Sequence, residues 1–146
     1  MTEYHIASKT FAGLTTEELY ELLKARFAVF VAEQRCFYLD MDDIDYRSTH
    51  FFIRKGQAVV AYGRLFEEEE PHTWHIGRVL TLERRTGMGR RLMEAIIRTA
   101  REQGAKTIRI EAQTHAVGFY EQLGFTACSE PFDEAGIEHI RMVLNC

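Results

Sequence analysis

Two stretches of the chain place apolar residues at three- and four-residue intervals, which is the spacing of an amphipathic helix. The first stretch follows Thr15 and Glu18, whose Thr-x-x-Glu spacing is a capping box and predicts a helix that ends between Phe30 and Glu33. The second stretch is closed by Gly104, a residue type common just after a helix. The apolar positions are Leu19, Leu22, Leu23, Phe27 and Phe30 in the first helix, and Leu92, Met93, Ile96, Ile97 and Ala100 in the second.

Segments with strand character surround these helices. Residues 106–113 alternate apolar and polar side chains, as a half-buried strand does. Gly56 predicts a tight turn that joins two strands into a hairpin. This order predicts an α+β fold in which the strands on either side of the second helix pair in parallel through a right-handed connection. The predicted strands are a short one at Ile6, then residues 50–54, 58–66, 74–82, 106–113, 125–128 and 139–144, with a short helix over residues 119–123.

Composition limits the fold and the function. The chain has 146 residues, of which 46% are apolar, so residues 1–146 are predicted to form a single domain. A formal net charge of −4 argues against binding to nucleic acid or to an anionic membrane. The cysteines form no CxxC pair and the histidines show no ligand spacing, so neither a disulfide framework nor a metal site is predicted. A cytoplasmic protein is expected, because no leader-like stretch and no apolar run of roughly 18 residues is present.

Residues 84–90, Arg-Arg-Thr-Gly-Met-Gly-Arg, lie between a predicted strand and the second helix. The two glycines allow a tight turn, and the free N–H groups of the first helical turn, together with the arginines, favour a bound diphosphate. The loop lacks the third glycine of a dinucleotide fingerprint and the Gly-Lys-Ser/Thr ending of a P-loop, which disfavours NAD and ATP. Coenzyme A is the remaining common diphosphate.

Two motifs in this order resemble those of the GNAT acetyltransferases. Arg-x-x-Gly-x-Gly at residues 84–89 is similar to the family's acetyl-CoA loop, and Phe-Tyr-Glu-Gln-Leu-Gly-Phe at residues 119–125 is similar to its F-Y-E-x-L-G-F segment. Residues 29–34, 76–79, 112–113 and 133–139 further resemble the ElaA-like branch. The resemblance implies a mixed, mostly antiparallel sheet of six to seven strands flanked by helices, with a parallel strand pair splayed at the acetyl-CoA site. The chain departs from the family at Arg85, where glycine is common.

The resemblance implies transfer of an acetyl group from acetyl-CoA to a primary amine, of a small molecule or a protein, within a ternary complex. A backbone N–H near Val79 or Leu80 would polarise the thioester carbonyl, and Tyr120 would protonate the departing thiolate. Packing of the short helix is the alternative role of Tyr120. Gln113 would either bind the pantetheine amides or hold a strand end together. The residues implied in acetyl-CoA binding are Val79, Leu80, Thr81, Arg84, Arg85, Thr86, Gly87, Met88, Gly89, Arg90, Gln113, Phe119 and Tyr120.

An alkyl amine is mostly protonated at neutral pH, so the reaction requires a base or a water relay. Glu111 and Glu33 are the candidates. The alternative for Glu111 is an ion pair with Arg64, Arg78 or Arg109, and for Glu33 it is a salt bridge at the helix end.

Arg64 and Arg78 lie on neighbouring predicted strands, where facing like charges need an anion between them. A network with Glu33, Glu111 or an aspartate of residues 40–45 is favoured over an acidic part of the substrate. The four aspartates of that segment otherwise indicate an exposed, solvated loop that could attract a polyamine or another cation. His139 follows a charged loop and could face the substrate.

Two other functions fit the same motifs. A non-catalytic acyl-CoA-binding module would keep the arginine–glycine loop without needing Tyr120. An acyltransferase that makes a signalling molecule would use a related scaffold, with a longer chain expected. Tyr120 and the candidate bases favour an enzyme. The acceptor amine is not identified, because loops rather than motifs shape acceptor pockets, and a homodimer is expected only as the commonest oligomer.

Overall fold

The computed structural model describes residues 4–35 and 40–146. These residues form an eight-stranded sheet and three α-helices. A π-helical turn, Phe27–Glu33, continues the first helix, and 3-10 turns cover Ile44–Arg47 and Thr114–Ala116. The elements are β1 (Ala7–Thr10), α1 (Thr16–Arg26), β2 (Thr49–Lys55), β3 (Ala58–Glu67), β4 (Thr73–Thr81), α2 (Met88–Glu102), β5 (Thr107–Gln113), α3 (Val117–Gln122), β6 (Thr126–Ala127), β7 (Phe132–Glu134) and β8 (Ile137–Asn145).

The strands follow the order β1-β2-β3-β4-β5-β8-β6, and β7 pairs with the start of β8. Every described pair is antiparallel except β4 with β5. The parallel pairing covers only residues 73–75 of β4 and 107–109 of β5, and the two strands part beyond it. The predicted α+β class, with a mostly antiparallel sheet and one splayed parallel pair, is therefore confirmed.

The prediction of six to seven strands was wrong, because β7 adds a strand. Glu134 of β7 pairs with Ile137 of β8 across a tight turn. Ala135 and Gly136 in that turn have φ angles of 55° and 84°, the left-handed conformation that two-residue hairpin turns require. The three residues of β7, Phe132–Glu134, are too few to show a strand pattern, so only the hairpin geometry identifies this strand.

Helix α1 begins as the sequence predicts. The Oγ1 atom of Thr15 accepts the N–H of Glu18 at 3.0 Å, and Oε1 of Glu18 accepts the N–H of Thr15 at 2.8 Å. This reciprocal pair satisfies two N–H groups that the helix itself leaves free. The π-helical turn then carries the chain to Glu33, within the predicted end of the helix.

Different helices cover the two faces of the sheet. The strongly apolar stripe of α2 packs on one face, where Ile108, Ile110 and Ala112 of β5 are buried. Helix α1 packs on the other face, in an apolar cluster drawn from β2, β3 and the end of β4. Side chains alternate along a strand, so Glu111 and Gln113 lie on the α1 side of β5. Neither residue belongs to the apolar cluster beneath α1.

A β-bulge interrupts the pairing of β3 with β4. Arg78 and Val79 of β4 together oppose the single residue Gly63 of β3, and Arg78 has a φ angle of 54°. Val79 packs with the α2-side core, whereas Leu80 packs beneath α1. The bulge lies where β4 parts from β5, and bulges at such places re-aim side chains.

Candidate functional site

The loop between β4 and α2 opens onto the free N–H groups of the first helical turn. Gly87 is the N-cap residue of α2 and has a φ angle of 77°. Arg85 also has a positive φ, 60°, which glycine adopts without strain and which accounts for the glycine common at this position in the resembling family. Arg84, Arg85 and Arg90 are exposed around the loop, so it can receive an anionic diphosphate.

Gly89 brings the first turn of α2 close to its neighbours. A Cβ atom at this position would lie 3.2 Å from Cγ2 of Thr81 and 3.6 Å from Cζ of Phe119. The absence of a side chain therefore lets β4, α2 and α3 meet at one point behind the loop.

A cleft of about 580 Å³ extends from the loop past the ends of β4 and β5 to α3. This volume lies in the usual range for small-ligand sites. Val29 and Phe30 of the first helical segment add apolar surface to it. Every residue that the sequence analysis assigns to acetyl-CoA lines this cleft, namely Val79, Leu80, Thr81, Arg84, Arg85, Thr86, Gly87, Met88, Gly89, Arg90, Gln113, Phe119 and Tyr120. The structure thus brings them together, and their contact with the coenzyme stays a prediction.

Tyr120 lies in α3 against two other aromatic rings. Its ring centroid is 5.1 Å from that of Phe119 and 6.0 Å from that of Phe125, both in edge-on contact. Burial raises the pKa of Tyr120 to about 12. The phenol therefore stays protonated across the physiological range. Packing and a proton-donor role are compatible here, because the residue contacts the core and also lines the cleft.

Gln113 occupies the tip of β5 and binds another side chain of the cleft. Its Nε2 donates to Oε1 of Gln34 at 2.8 Å, while Nε2 of Gln34 donates back to Oε1 of Gln113 at 3.2 Å. Oε1 of Gln113 also lies 2.7 Å from Nε2 of His115. Of its two predicted roles, the one that holds a strand end in place is present in the structure.

Glu33 and Glu111, the predicted candidate bases, lie in different places. Glu33 ends the π-helical turn, has a 59% exposed side chain and lies 3.7 Å from Nη2 of Arg84 at the edge of the cleft. This is the salt bridge at the helix end that the sequence analysis gives as its alternative role. Glu111 lies on β5, in a second cavity.

The aspartates of residues 40–45 fold onto three arginines. Asp40 binds Nε of Arg26 and Nε of Arg78 at 3.0 Å each. Asp45 accepts from Nη1 of Arg26 at 2.7 Å and from Nη1 of Arg64 at 3.0 Å. Asp42 also belongs to this arginine–aspartate network, through Arg64 at 2.7 Å and Arg78 at 3.3 Å. The predicted internal network for Arg64 and Arg78 is therefore present.

The expectation of an exposed aspartate loop was wrong for Asp40, Asp42 and Asp45. Their side chains are 11%, 27% and 13% exposed. Asp43 alone of the four is exposed. Buried guanidinium groups require anionic partners, and these three carboxylates supply them.

A second cavity, of about 550 Å³, lies on the α1 side of the sheet. Arg78 of β4 and Glu111 of β5 line it, whereas Val79 and Gln113, further along the same two strands, line the first cleft. The two spaces therefore adjoin where β4 and β5 part. The other residues of the second cavity include Phe66, Glu68, His75, Glu134 and His139.

Glu111 has different neighbours from those predicted. Burial raises its pKa above the ordinary value of 4.5, and the negative charge of the neighbouring Glu134 raises it further, while His75 and Arg141 lower it. Arg64 forms salt bridges with Asp42 and Asp45, and Arg109 forms them with Glu68 and Glu70. The predicted pairing of Glu111 with these arginines is replaced by a carboxyl–carboxyl contact. A carboxylate with a raised pKa can accept a proton near neutral pH.

Two histidines also line the second cavity. Nδ1 of His139 donates to the carbonyl oxygen of Ile137 at 2.7 Å, so its other nitrogen faces elsewhere. Burial lowers the pKa of His75 and keeps its imidazole neutral at pH 7, although Glu68 and Glu111 act in the opposite direction. His139 thus lies in the second cavity, and its contact with a substrate stays a prediction.

Comparison with known proteins decides the family. A sequence profile of the acetyltransferase (GNAT) domain matches residues 12–146. The chain belongs to the GNAT acetyltransferase family. Protein ElaA of Escherichia coli is 36% identical over 137 residues, which are 88% of this chain and 88% of ElaA.

Solved structures of GNAT proteins agree with this chain over nearly its full length. The crystal structure of E. coli ElaA has a TM-score of 0.90 at 32% identity, covering 98% of this chain and 100% of ElaA. An acyl-CoA N-acyltransferase from Pseudomonas aeruginosa has a TM-score of 0.88 at 33% identity, covering 96% and 99% of the two chains. The predicted GNAT membership and ElaA-like branch are confirmed. Membership supports an acyl-CoA-dependent acyltransferase activity.

Sequence reasoning missed Arg26 in this GNAT protein. Its guanidinium is fully buried at the centre of the arginine–aspartate network. A signal was present, because Arg26 follows Leu22 by four residues and precedes Val29 by three, which places it on the buried stripe of α1. A charge on that stripe requires a buried counter-charge.

Among residues 4–35 and 40–146 of this GNAT chain, no group of three or more His, Cys, Asp or Glu side chains is arranged to hold a metal ion. None of the described helices has the length and apolar character that crossing a bilayer requires.

Proposed function

We propose that the protein is an acetyl-CoA-dependent N-acetyltransferase that transfers the acetyl group directly to a primary amine in a ternary complex. The observation that carries this proposal is the parting of β4 from β5 between two cavities. One cavity holds the diphosphate loop and Tyr120, and the other holds Glu111. A thioester that reaches the gap from the first cavity would meet an amine that arrives from the second.

The coenzyme would bind along the first cleft. The N–H groups at the start of α2 and the exposed arginines of the loop would hold its diphosphate. Pantetheine would then run beside Val79 and Leu80 toward the gap. Because β5 pairs with β4 only as far as His75, the β5-facing edge of β4 near these residues is open to it. A backbone N–H there can polarise the thioester carbonyl.

The reaction needs one proton acceptor and one proton donor. Glu111 would accept a proton from the ammonium form of the acceptor, directly or through a water molecule. The neutral nitrogen then attacks the thioester carbon, and the C–S bond breaks as the C–N bond forms. Tyr120 gives its proton to the departing thiolate, and the second proton, which the nitrogen loses as the amide forms, restores the phenol directly or through a water molecule. Glu33 would hold Arg84 at the phosphate loop, since its carboxylate is exposed and lies beside that side chain.

The test combines binding with turnover. Acetyl-CoA is titrated into the protein by calorimetry, and release of CoA is followed by thiol detection with a panel of amines. Tyr120→Phe should keep its affinity for acetyl-CoA and lose on the order of 100-fold in kcat. Tyr20→Phe is the matched control, because this tyrosine is 65% exposed on α1, and it should behave as the wild type.

Each alternative outcome has a definite meaning. Absence of acetyl-CoA binding would contradict the proposal. Binding without amine-dependent release of CoA would support the non-catalytic acyl-CoA-binding module instead. Full activity in Tyr120→Phe would remove Tyr120 from the mechanism and leave its packing role.

A further inference from the structure

The charges of the second cavity divide into a balanced group and an unbalanced one. In the arginine–aspartate network, Arg26, Arg64 and Arg78 face Asp40, Asp42 and Asp45, so guanidinium and carboxylate groups are equal in number. This wall of the cavity therefore contributes little net charge.

The opposite side of the cavity carries an excess of carboxylates. Glu68 shares Arg109 with Glu70, at 3.1 and 2.6 Å. Glu111 and Glu134 interact electrostatically, and Arg141 lies across the strand pair from Glu111. Three carboxylates, those of Glu68, Glu111 and Glu134, line this side of the cavity, whereas the two arginines that line the cavity, Arg64 and Arg78, belong to the balanced network. Burial lowers the pKa of His75, so its imidazole adds little positive charge here, and the space attracts cations.

The cavity wall also has an unmet polar atom. Nε of Arg64, on a side chain only 3% exposed, is the one buried side-chain nitrogen or oxygen without a hydrogen-bond partner among the described residues. Gly77 of β4 pairs with Arg64 of β3, and because glycine has no side chain the space beside Nε of Arg64 stays open. A Cβ at position 77 would lie 3.9 Å from that Nε and 3.6 Å from Cδ2 of His75. Buried donors in native proteins are satisfied, which indicates a hydrogen-bond acceptor here, such as a water molecule held beside a bound ligand.

We propose that the second cavity binds the acceptor and selects an aliphatic diamine or polyamine, with one amino group at Glu111 and another positive group held by Glu134 or Glu68. His75 lies between these carboxylates and interacts with Glu68 and Glu111. A carboxylate on the acceptor would meet like charge and be rejected. The inference rests on the proposed function, because it names the acceptor class of the same site.

The first experiment compares three acceptors of similar length. Initial rates of CoA release are measured with butane-1,4-diamine, butylamine and 4-aminobutanoate. The value of kcat/KM should be about five-fold higher for the diamine than for butylamine, the worth of one partly exposed ion pair, and lowest for 4-aminobutanoate. Equal or better use of 4-aminobutanoate would overturn the acceptor class while leaving the acetyltransferase proposal intact.

Variants then assign the effect to the cavity. Glu134→Gln should lower kcat/KM for the diamine by about five-fold and change that for butylamine much less. Glu138→Gln is the matched control, because it lies on the same hairpin, is exposed and does not line the cavity. Gly77→Ala would project a methyl group at ordinary contact distances and should raise KM for the diamine without changing acetyl-CoA affinity. Identical diamine kinetics in wild type, Glu134→Gln and Glu68→Gln would contradict the assignment.

A binding measurement separates failure of this inference from failure of the proposed function. Butane-1,4-diamine is titrated by calorimetry into the protein saturated with CoA, which needs no turnover. Binding that weakens in Glu134→Gln, together with no release of CoA from acetyl-CoA, would support the site and contradict the catalytic proposal. Lack of diamine binding together with turnover of other amines would contradict the diamine site and support the catalytic proposal.

Discussion

Gln34, directly after the first helical segment, and Gln113, at the tip of β5, exchange two side-chain hydrogen bonds of 3.2 and 2.8 Å although 79 residues separate them in sequence. Both line the first cleft. The pair connects the helix on the α1 side to the strand that borders the gap between β4 and β5. It therefore links the position of the helix end to the width of that cleft.

The first prediction concerns this pair. In a double-mutant cycle, Gln34→Ala and Gln113→Ala should show a coupling of about 1 kcal/mol in the free energy of unfolding, measured in urea. If Gln113 acts only through Gln34, both single variants should weaken acetyl-CoA binding equally. A larger loss of affinity in Gln113→Ala alone would indicate direct contact with pantetheine.

A second prediction follows from the raised pKa of Glu111. Its folded-state pKa lies above the ordinary 4.5, so the folded protein holds this proton more tightly than the unfolded chain does. The corresponding stability is fully present below pH 4.5 and is lost as pH rises through the folded pKa. Glu111→Gln should therefore raise the free energy of unfolding at pH 7 relative to wild type and change it little at pH 4.

The same substitution should lower activity. Wild-type kcat/KM should rise with pH as Glu111 loses its proton, and the midpoint of this acidic limb should lie above pH 4.5. Tyr120, with a pKa of about 12, should add no basic limb below pH 10. Persistence of the acidic limb in Glu111→Gln would assign the base to another group.

A third prediction concerns the arginine–aspartate network. Asp45→Asn would remove a negative charge that balances the buried guanidinium groups of Arg26 and Arg64, and it should lower the free energy of unfolding by about 3 kcal/mol. Asp43→Asn is the matched control on the same loop, because Asp43 is exposed and asparagine tolerates its left-handed φ of 68°. Equal effects of the two variants would show that the network adds little to stability.

The arginine–aspartate network should also make the free energy of unfolding depend on pH in the acidic range. Burial opposes ionisation of Asp42, but the hydrogen bonds and charge of Arg64 outweigh it and lower the pKa of Asp42 to about 2. A lowered folded-state pKa gives stability that is present above the ordinary value of 3.8 and lost as pH falls toward 2. Unfolding followed between pH 5 and pH 2 should show a smaller loss for Asp42→Asn than for wild type.

A fourth prediction concerns the bulge. A Cβ atom at Gly63 would lie 2.8 Å from Cδ1 of Ile96, which is fully buried in α2. Gly63→Ala should therefore cost about 2 kcal/mol through overpacking. Adding Ile96→Val removes that Cδ1 and should recover part of the loss, measured by urea denaturation. Additive effects of the two substitutions would place the strain elsewhere.

Much of this fold follows from local sequence. The capping box at Thr15, the apolar stripe of α2 and the period-two alternation of residues 106–113 depend on side chains near one another in the chain, and each forms where predicted. The diphosphate loop is equally local, because its glycines and the first turn of α2 are adjacent in sequence. Most of the predicted cleft residues belong to this loop and its flanking elements, and the second motif, residues 119–125, adds Phe119 and Tyr120.

What the sequence did not determine depends on contacts between distant segments. The sequence predicts a carboxylate for Arg64 but leaves open which one, and it does not indicate that Asp45 also binds Arg26. Nothing near Glu111 indicates Glu134 as its neighbour. Strand β7 forms through pairing with β8, since its own residues carry no apolar pattern. Local periodicity and backbone geometry in the sequence determined the helices, most of the strands and the loop between β4 and α2. Tertiary structure alone decided which charges meet, because electrostatic partners are chosen by distance in space.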